Sequence, residues 1–321
     1  MQALPRSSPL LVALCVLSAL MSGPAAADAY PTKPINVIVP FPAGGATDAA
    51  ARLVTTHLGQ ALGQTMPVEN EGVASGEIAA QRAARANPDG YTLLAGTIND
   101  VVLAPITNPG AGYKYDSFAP VGGIGATSFV LVANFKVPAT NIDELLAYVR
   151  KQPGKVNVGI PGVGTLQHVA VAMLEQQAKL DWTTVPYKGA APLNADLLGG
   201  QIDLAVVTLP SAIPHIRDGK LRSLGLMSRQ RDDVHKDLPT INEGQELKGL
   251  ATDAWIGLFA PAKTPTATVD KLNAALQQTL NKPEVKEGLA KLGFRATGAV
   301  TPASFRQLVE QDDARYRRAT A

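Results

Sequence analysis

The sequence predicts an α/β protein that is divided into two similar lobes. Strand-like and helix-like patterns alternate along the chain, which favours a mixed α/β architecture over an all-α or all-β one. With 321 residues, of which 46% are hydrophobic, the chain exceeds the length at which a single core usually splits in two. A unit of strand, Pro/Gly-rich turn, threonine and helix begins at Val37 and again at Val156. One copy of this unit is therefore expected in each lobe.

Short runs rich in β-branched residues and bounded by proline or glycine predict the strands. They lie at 35–39, 91–95, 130–133, 156–160, 183–185, 202–207, 223–227 and 255–260. Apolar residues that recur at helical spacing predict the helices. They lie at 50–62, 76–86, 166–179, 192–198, 266–280, 284–292 and 302–318. Asn141 and Glu144 have N-cap and N3 spacing, which predicts one more helix that ends before Pro153.

The first 27 residues predict a secretory signal peptide. Arg6 is the one charged residue before position 28, residues 10–21 form a short apolar run, and alanines at 25–27 follow a Gly-Pro break. This order of charge, apolar run and small-residue cleavage site is typical of export signals. A buried N-terminal helix is the alternative for such a run. The expected product is a soluble, exported, periplasmic protein that starts at Asp28.

Charge and composition exclude two classes of function. The chain has 29 Lys+Arg and 27 Asp+Glu, a formal net charge of +2. Nucleic-acid binding is not expected, because a phosphate-binding surface needs clustered basic residues. The four histidines and one cysteine are widely scattered and do not form a metal-ligand set. No metal and no cofactor is expected.

Two glycine-rich turns are the candidate binding elements. Gly44 and Gly45 precede one predicted helix, and Gly162 and Gly164 precede another. The first N–H groups of a helix are unpaired and carry a partial positive charge, and glycine lets a ligand approach the backbone closely. Either turn alone could equally be an ordinary tight βα turn. The pair, one in each expected lobe, favours a site for a carboxylate or phosphate.

Motifs of catalysis are missing from the sequence. It contains no G-x-G-x-x-G, P-loop or G-x-S-x-G pattern. An exported hydrolase would need a nucleophile beside a base, and none is visible, although a site built from dispersed residues leaves no motif. The chain is therefore expected not to be an enzyme.

Six sequence blocks together resemble one family of transport receptors. The blocks are YPTKPI at 30–35, VPFPAGGATD at 39–48, VEN at 68–70, NPDGYTLL at 87–94, VPYKG at 185–189 and DLLGGQID at 196–203. Their order and spacing are similar to those of Bug-type extracytoplasmic solute-binding proteins, which serve tripartite tricarboxylate transporters. The resemblance implies a type II periplasmic binding protein fold, the Venus flytrap, with a ligand cleft between the lobes. It also implies a small carboxylate ligand, membrane permease subunits as partners and a monomeric receptor, although a receptor that reports to a sensor protein would use the same fold.

Carried over by position, the resemblance implies ligand contacts from both lobes. In the first lobe these are Phe41, Pro42, Ala43, Gly44, Gly45, Thr47 and Asp48. In the second lobe they are Gly162, Gly164, Thr165 and His168, with Tyr187, Gly189 and Thr208 lining the cleft. Two segments depart from the family pattern and add Ala74, Ser75, Thr97, Asn99 and Asp100.

Asp100 and His168 each have two interpretations. If Asp100 faces the cleft, it should meet a hydrogen-bond donor on the ligand; otherwise it caps a local turn. His168 either contacts the ligand or a water, or is a structural histidine.

The first lobe is expected to comprise 28–125 plus 255–321 and the second 126–254, with crossovers near Gly122 and Trp255.

Overall fold

A computed structural model describes residues 30–72, 76–229, 231–232 and 235–320. The predicted signal peptide and the candidate contacts Ala74 and Ser75 lie outside these residues. The strands are β1 (Asn36–Val39), β2 (Val68–Asn70), β3 (Thr92–Thr97), β4 (Phe118–Asn134), β5 (Asn157–Ile160), β6 (Thr183–Pro186), β7 (Leu204–Thr208), β8 (Leu221–Leu226), β9 (Asp253–Pro261) and β10 (Arg295–Ala296). The α-helices are α1 (Ala46–Leu62), α2 (Glu77–Ala84), α3 (Ala104–Thr107), α4 (Ile142–Arg150), α5 (Leu166–Ala178), α6 (Ala190–Gly199), α7 (Leu209–Arg217), α8 (Thr266–Asn281), α9 (Pro283–Lys291) and α10 (Pro302–Thr320).

Two sets of strands share the long strand β4. In the first set, β2, β1 and β3 run parallel, β3 pairs antiparallel with β9, and β9 pairs antiparallel with the first part of β4. In the second, β6, β5 and β7 run parallel, and β7 and β8 pair antiparallel with the last part of β4. β4 changes partner between Ser128 and Phe129. One continuous strand therefore belongs to both halves of the molecule.

The connections after the parallel strands position the candidate site. β1 leads into α1, and β3 leads into a single π-helical turn at Asn99–Leu103 that continues as α3. In the other half, β5 leads into α5 and β7 leads directly into α7. Because the carboxyl ends of parallel strands lie at one edge of a sheet, each half presents a cluster of turns and helix N-termini at that edge.

The apolar core covers both faces of the first set of strands. On one face, Val37 and Val39 of β1 are buried with Leu58 of α1 and Leu272 of α8. On the other face, Trp255 and Phe259 of β9 pack against Phe305 of α10, with ring centroids 5.4 Å apart in both pairs. The indole N–H of Trp255 donates a hydrogen bond of 2.8 Å to the Asp312 carboxylate, so the buried polar atom of this cluster is satisfied.

The predicted α/β class is confirmed, and most predicted elements are found within a few residues of their expected bounds. Asn141 caps α4 as predicted, since its side chain accepts a hydrogen bond of 2.9 Å from the Glu144 N–H. None of the helices in the described part of the chain is both long and apolar enough to cross a membrane.

The main differences from prediction fall where proline or glycine interrupts a pattern. The strand predicted at 130–133 is the end of the 17-residue β4. The first part of β4 is not predicted, because Pro120 and the glycines after it interrupt the strand pattern. Sequence periodicity does not predict α7, since Pro214 lies inside it and proline is unfavourable in a helix interior. The π-helical turn after β3 and the short strands β2 and β10 are also absent from the predicted set.

Candidate functional site

A cavity of about 300 Å³ lies between the two halves of the chain, at the edge where β1, β3 and β5 end. Its lining comes from the turn before α1, the start of α2, the segment from the π-helical turn to α3, and the turn before α5. The lining residues are Phe41, Glu77, Asn99, Ala104, Thr107, Val163, Gly164 and Thr165. This size falls at the lower end of ordinary small-molecule sites.

The turn before α1 is held in place by Asp48. One carboxylate oxygen of Asp48 accepts a hydrogen bond of 2.8 Å from the Gly44 N–H. The other oxygen accepts from the Arg52 guanidinium at 2.9 Å and from the Asn70 amide at 2.8 Å. Burial raises the pKa of Asp48, but the hydrogen bonds from Gly44, Asn70 and Arg52 outweigh it and hold the pKa below its usual range. Asp48 is buried and supports the turn.

The turn before α5 is built in the same way. His168 lies one helical turn into α5, and its Nδ1 accepts a hydrogen bond of 3.2 Å from the Gly164 N–H. Thr165 is the N-cap of α5, because its hydroxyl accepts from the His168 N–H at 3.3 Å and donates to the Gly162 carbonyl at 2.8 Å. Val163 stands at the tip of this turn and is 69% exposed.

Asp100 caps a local turn. It is fully buried, and its carboxylate accepts hydrogen bonds from the N–H and the hydroxyl of Thr97. Burial raises the pKa of Asp100 to about 7, against the smaller lowering effect of the Thr97 hydrogen bonds. This arrangement corresponds to the second of the two interpretations given above. Asp100 does not belong to the cavity lining.

Asn99, the neighbour of Asp100, bridges the two halves of the molecule. Its side-chain oxygen accepts a hydrogen bond of 3.1 Å from the N–H of Leu166, the first residue of α5. The N-terminus of α5 is therefore capped twice, by Thr165 from its own half and by Asn99 from the other half. In contrast, no side chain in the described part of the chain caps α1 or α2.

Among the described residues of the cavity lining, Glu77 is the one that carries a charge. It is the first residue of α2, and both of its carboxylate oxygens accept hydrogen bonds from the Asn108 side-chain amide, at 3.0 and 2.9 Å. The arginines of the surrounding elements already have acidic partners: Arg52 pairs with Asp48 at 2.9 Å, and Arg82 pairs with Glu69 at 2.6 Å. The cavity thus carries a negative side chain that no lysine or arginine of the lining compensates.

The structure brings some of the predicted contacts to the cavity and leaves others beside it. Those in the lining are Phe41, Asn99, Gly164 and Thr165. Those of the described residues outside it are Pro42, Ala43, Gly44, Gly45, Thr47, Asp48, Thr97, Asp100, Gly162, His168, Tyr187, Gly189 and Thr208. The Tyr187 hydroxyl donates instead to the Asp196 carboxylate at 2.7 Å, and the Thr208 hydroxyl pairs with Ser211 at 3.1 Å.

Three lining residues, Glu77, Ala104 and Thr107, are not among the predicted contacts, whereas Val163 lies within the predicted turn at 162–165. Ala104 and Thr107 follow the unpredicted π-helical turn, so no pattern indicates their position. A glutamate in the first turn of a helix is common because it complements the helix dipole, so Glu77 gives no distinct signal. Among the described residues, no cluster of His, Cys, Asp and Glu could hold a metal ion.

A family model described as "Tripartite tricarboxylate transporter family receptor" matches residues 50–319. MatC (Rpa3494) from Rhodopseudomonas palustris, solved with bound malate, is 33% identical with a TM-score of 0.78, covering 91% of this chain and 100% of that one. Rpa4515 of R. palustris, solved with adipate, is 30% identical with a TM-score of 0.80, covering 90% and 97%. The periplasmic binding protein BugD is 34% identical with a TM-score of 0.76, and the match covers 90% of this chain and 97% of BugD.

Proposed function

The chain belongs to the tripartite tricarboxylate transporter receptor family, and from this premise we propose that its cavity binds a small carboxylate that also bears a hydrogen-bond donor or an ammonium group. The predicted two-lobed binding-protein fold and the predicted role as a solute-binding receptor for transport are both confirmed by the family and its solved relatives. The proposal concerns the chemistry of the solute.

The uncapped helices support a ligand carboxylate. α1 and α2 begin beside the cavity, and none of the side chains that the structure describes caps them, so the N–H groups of their first turns are available to an anion. The solved relatives that hold malate and adipate agree with a small organic acid. We place the contacts in the lining residues and in the exposed turn at 42–45 that flanks them.

The charge of Glu77 is the observation that carries the donor half of the proposal. A second ligand carboxylate about 4 Å from Glu77 would be repelled by roughly 4 kcal/mol at an effective dielectric near 20. That is about half of the 8 kcal/mol or so in a micromolar affinity. An ammonium, amide or hydroxyl group in the same position would instead be attracted to the Glu77 carboxylate. A plain dicarboxylate is therefore the disfavoured solute.

Isothermal titration with chain-matched pairs tests both halves: glutarate against 4-aminobutyrate, and adipate against 5-aminopentanoate. We expect the amino acid of at least one pair to bind tenfold or more tightly than its dicarboxylate. Glu77→Gln should reduce that preference to less than threefold, because it removes the charge and keeps the size. Glu287→Gln, an exposed change on α9, is the matched control and should leave the preference intact.

The possible failures separate the two halves of the proposal. If neither member of either pair binds the wild type or Glu77→Gln, the carboxylate assignment fails. If the dicarboxylates bind more tightly than the amino acids, the carboxylate assignment stands and the role of Glu77 is wrong.

The remaining features of the receptor follow from the same premise. We propose that the chain acts in the periplasm as a monomer, returns its solute unchanged and delivers it to membrane permease subunits. One lobe comprises residues 28–125 together with 255–321, and the other comprises residues 126–254. The change of partner along β4 between Ser128 and Phe129 supports this division to within a few residues.

A further inference from the structure

A second groove, larger than the cavity, lies between α7 and the segment that joins α9 to β10. Its volume is about 550 Å³. Leu209 and Ile213, four residues apart on one face of α7, form one wall, and Phe294 and Ala296 form the other. No residue of this groove belongs to the cavity that contains Glu77, so the two are separate sites.

The groove lies where the middle of the chain meets its C-terminal part. Gly293 and Pro210 touch at its base so closely that a Cβ on Gly293 would lie 1.8 Å from the Pro210 Cγ. Gly293 also has a φ of +79°, a backbone conformation that residues other than glycine rarely adopt. The contact therefore requires glycine for two reasons, and it brings both walls of the groove together.

Cationic side chains surround this apolar interior. Arg217, Lys286 and Lys291 line the groove, and none of them forms an ion pair with any residue that the structure describes. Arg295 adds a fourth positive charge, which also acts on Asp253. Asp232, the one acidic residue among the described residues of the lining, pairs with His235 at 3.0 Å. An apolar trough with an excess of uncompensated positive charge is complementary to a molecule with an apolar body and one negative group.

We propose that this groove binds an amphipathic monocarboxylate, with its hydrocarbon part along Leu209, Ile213 and Phe294 and its carboxylate among the lysines and arginines. The volume lies well within the range of small-molecule sites, which favours a free organic acid over a peptide segment. Because the walls come from both lobes, an occupant binds the groove more tightly in one relative position of the lobes than in another. The cavity also lies between the lobes, so binding in the groove changes the affinity of the cavity for its solute.

Octanoate is the probe, and isothermal titration of the purified protein is the measurement. We expect octanoate to bind the wild type at least tenfold more tightly than 1-octanol, which has the same chain without the charge. Lys286→Gln/Lys291→Gln should weaken octanoate binding tenfold or more. Lys263→Gln/Lys271→Gln, which changes two exposed lysines outside the groove, should change it less than twofold.

A second pair of variants tests the shape of the groove. Ala290 lies on the groove side of α9 and is exposed, so Ala290→Trp should block octanoate, whereas Glu287→Trp on the same helix should not. Circular dichroism checks that both fold, and the lysine variants keep the test valid if Ala290→Trp does not.

Three results would overturn the proposal. The first is no octanoate binding to the wild type. The second is complete competition by saturating 5-aminopentanoate together with loss of octanoate binding in Glu77→Gln, which would place octanoate in the cavity. The third is a dimer in light scattering that Ala290→Trp abolishes, which would make a second copy of the chain the occupant.

Discussion

Asp48 and His168 hold the turns before α1 and α5 by the same kind of contact. Each lies one turn into its helix and accepts a hydrogen bond from the backbone N–H four residues earlier, that of Gly44 in one lobe and of Gly164 in the other. A carboxylate oxygen in one lobe and a ring nitrogen in the other therefore play the same structural role. A polar side chain at a helix start resembles a ligand contact in the sequence, because its partner is known only once the turn has folded.

Asp100 makes the stability of the protein depend on pH. Burial raises its pKa to about 7, whereas an aspartate in an unfolded chain titrates near pH 4 or so. Between about pH 4 and pH 7 the folded state therefore binds more protons than the unfolded state, and the free energy of unfolding falls as the pH rises. The contribution is fully present below about pH 4 and is lost above about pH 7.

We expect Asp100→Asn to remove this dependence, which is on the order of a few kcal/mol across the window. Urea denaturation at intervals of half a pH unit measures it. Asp218→Asn, an exposed change near Lys220, is the control and should keep the wild-type slope. An unchanged slope in Asp100→Asn would show that other groups carry the pH dependence.

At the scale of elements, the turn before α5 combines a strained backbone position at Gly164 with a place in the cavity lining. Gly164 has a φ of +79°, and a Cβ there would meet only the Thr107 hydroxyl oxygen, at 3.7 Å. The penalty of a side chain is therefore conformational and not steric. We expect Gly164→Ala to lose about 1 kcal/mol of unfolding free energy and to weaken solute binding, since the methyl group enters the cavity.

Gly63→Ala is the matched control for this prediction. Gly63 has a φ of +69° with nothing within 4 Å of a Cβ, and it lies at the far end of α1. It should lose a similar amount of stability in chemical denaturation and keep wild-type affinity in titration. Equal affinities for the two variants would remove Gly164 from the binding surface.

Elements with regular patterns could be predicted from the sequence, and those whose patterns are interrupted could not. The N-cap of α4 at Asn141 and the glycine turns before α1 and α5 follow from local rules. The first half of β4 contains a proline and several glycines and is stabilised by pairing with β9. It is therefore a strand because of a tertiary contact that its local sequence does not predict. The same holds for the cavity: Gly164 and Thr165 stand in a recognisable turn, whereas Thr107 reaches the cavity through an unpredicted π-helical turn.

At the scale of the whole molecule, the contact between Gly293 and Pro210 restricts how closely the lobes approach. We expect Gly293→Ala to lower the free energy of unfolding by about 1–3 kcal/mol more than a glycine replacement without a clash, because the methyl group overpacks the interface. Gly219→Ala provides that reference, since Gly219 has a φ of +67° and no atom within 4 Å of a Cβ. Chemical denaturation of both variants measures the difference, and equal losses would mean that the lobes separate freely at this point.

The hydrogen bond from the Leu166 N–H to Asn99 has a consequence for selectivity. It joins the lobes through atoms of the chain itself, so it favours their approach equally for every solute. A hydrogen bond of about 1 kcal/mol corresponds to roughly a fivefold bias, and this bias cancels when two solutes are compared. Discrimination must then come from groups that contact the solute directly, which is the role that we propose for Glu77. A receptor of this design can change its solute preference by substitution at one lining position while its general affinity is preserved.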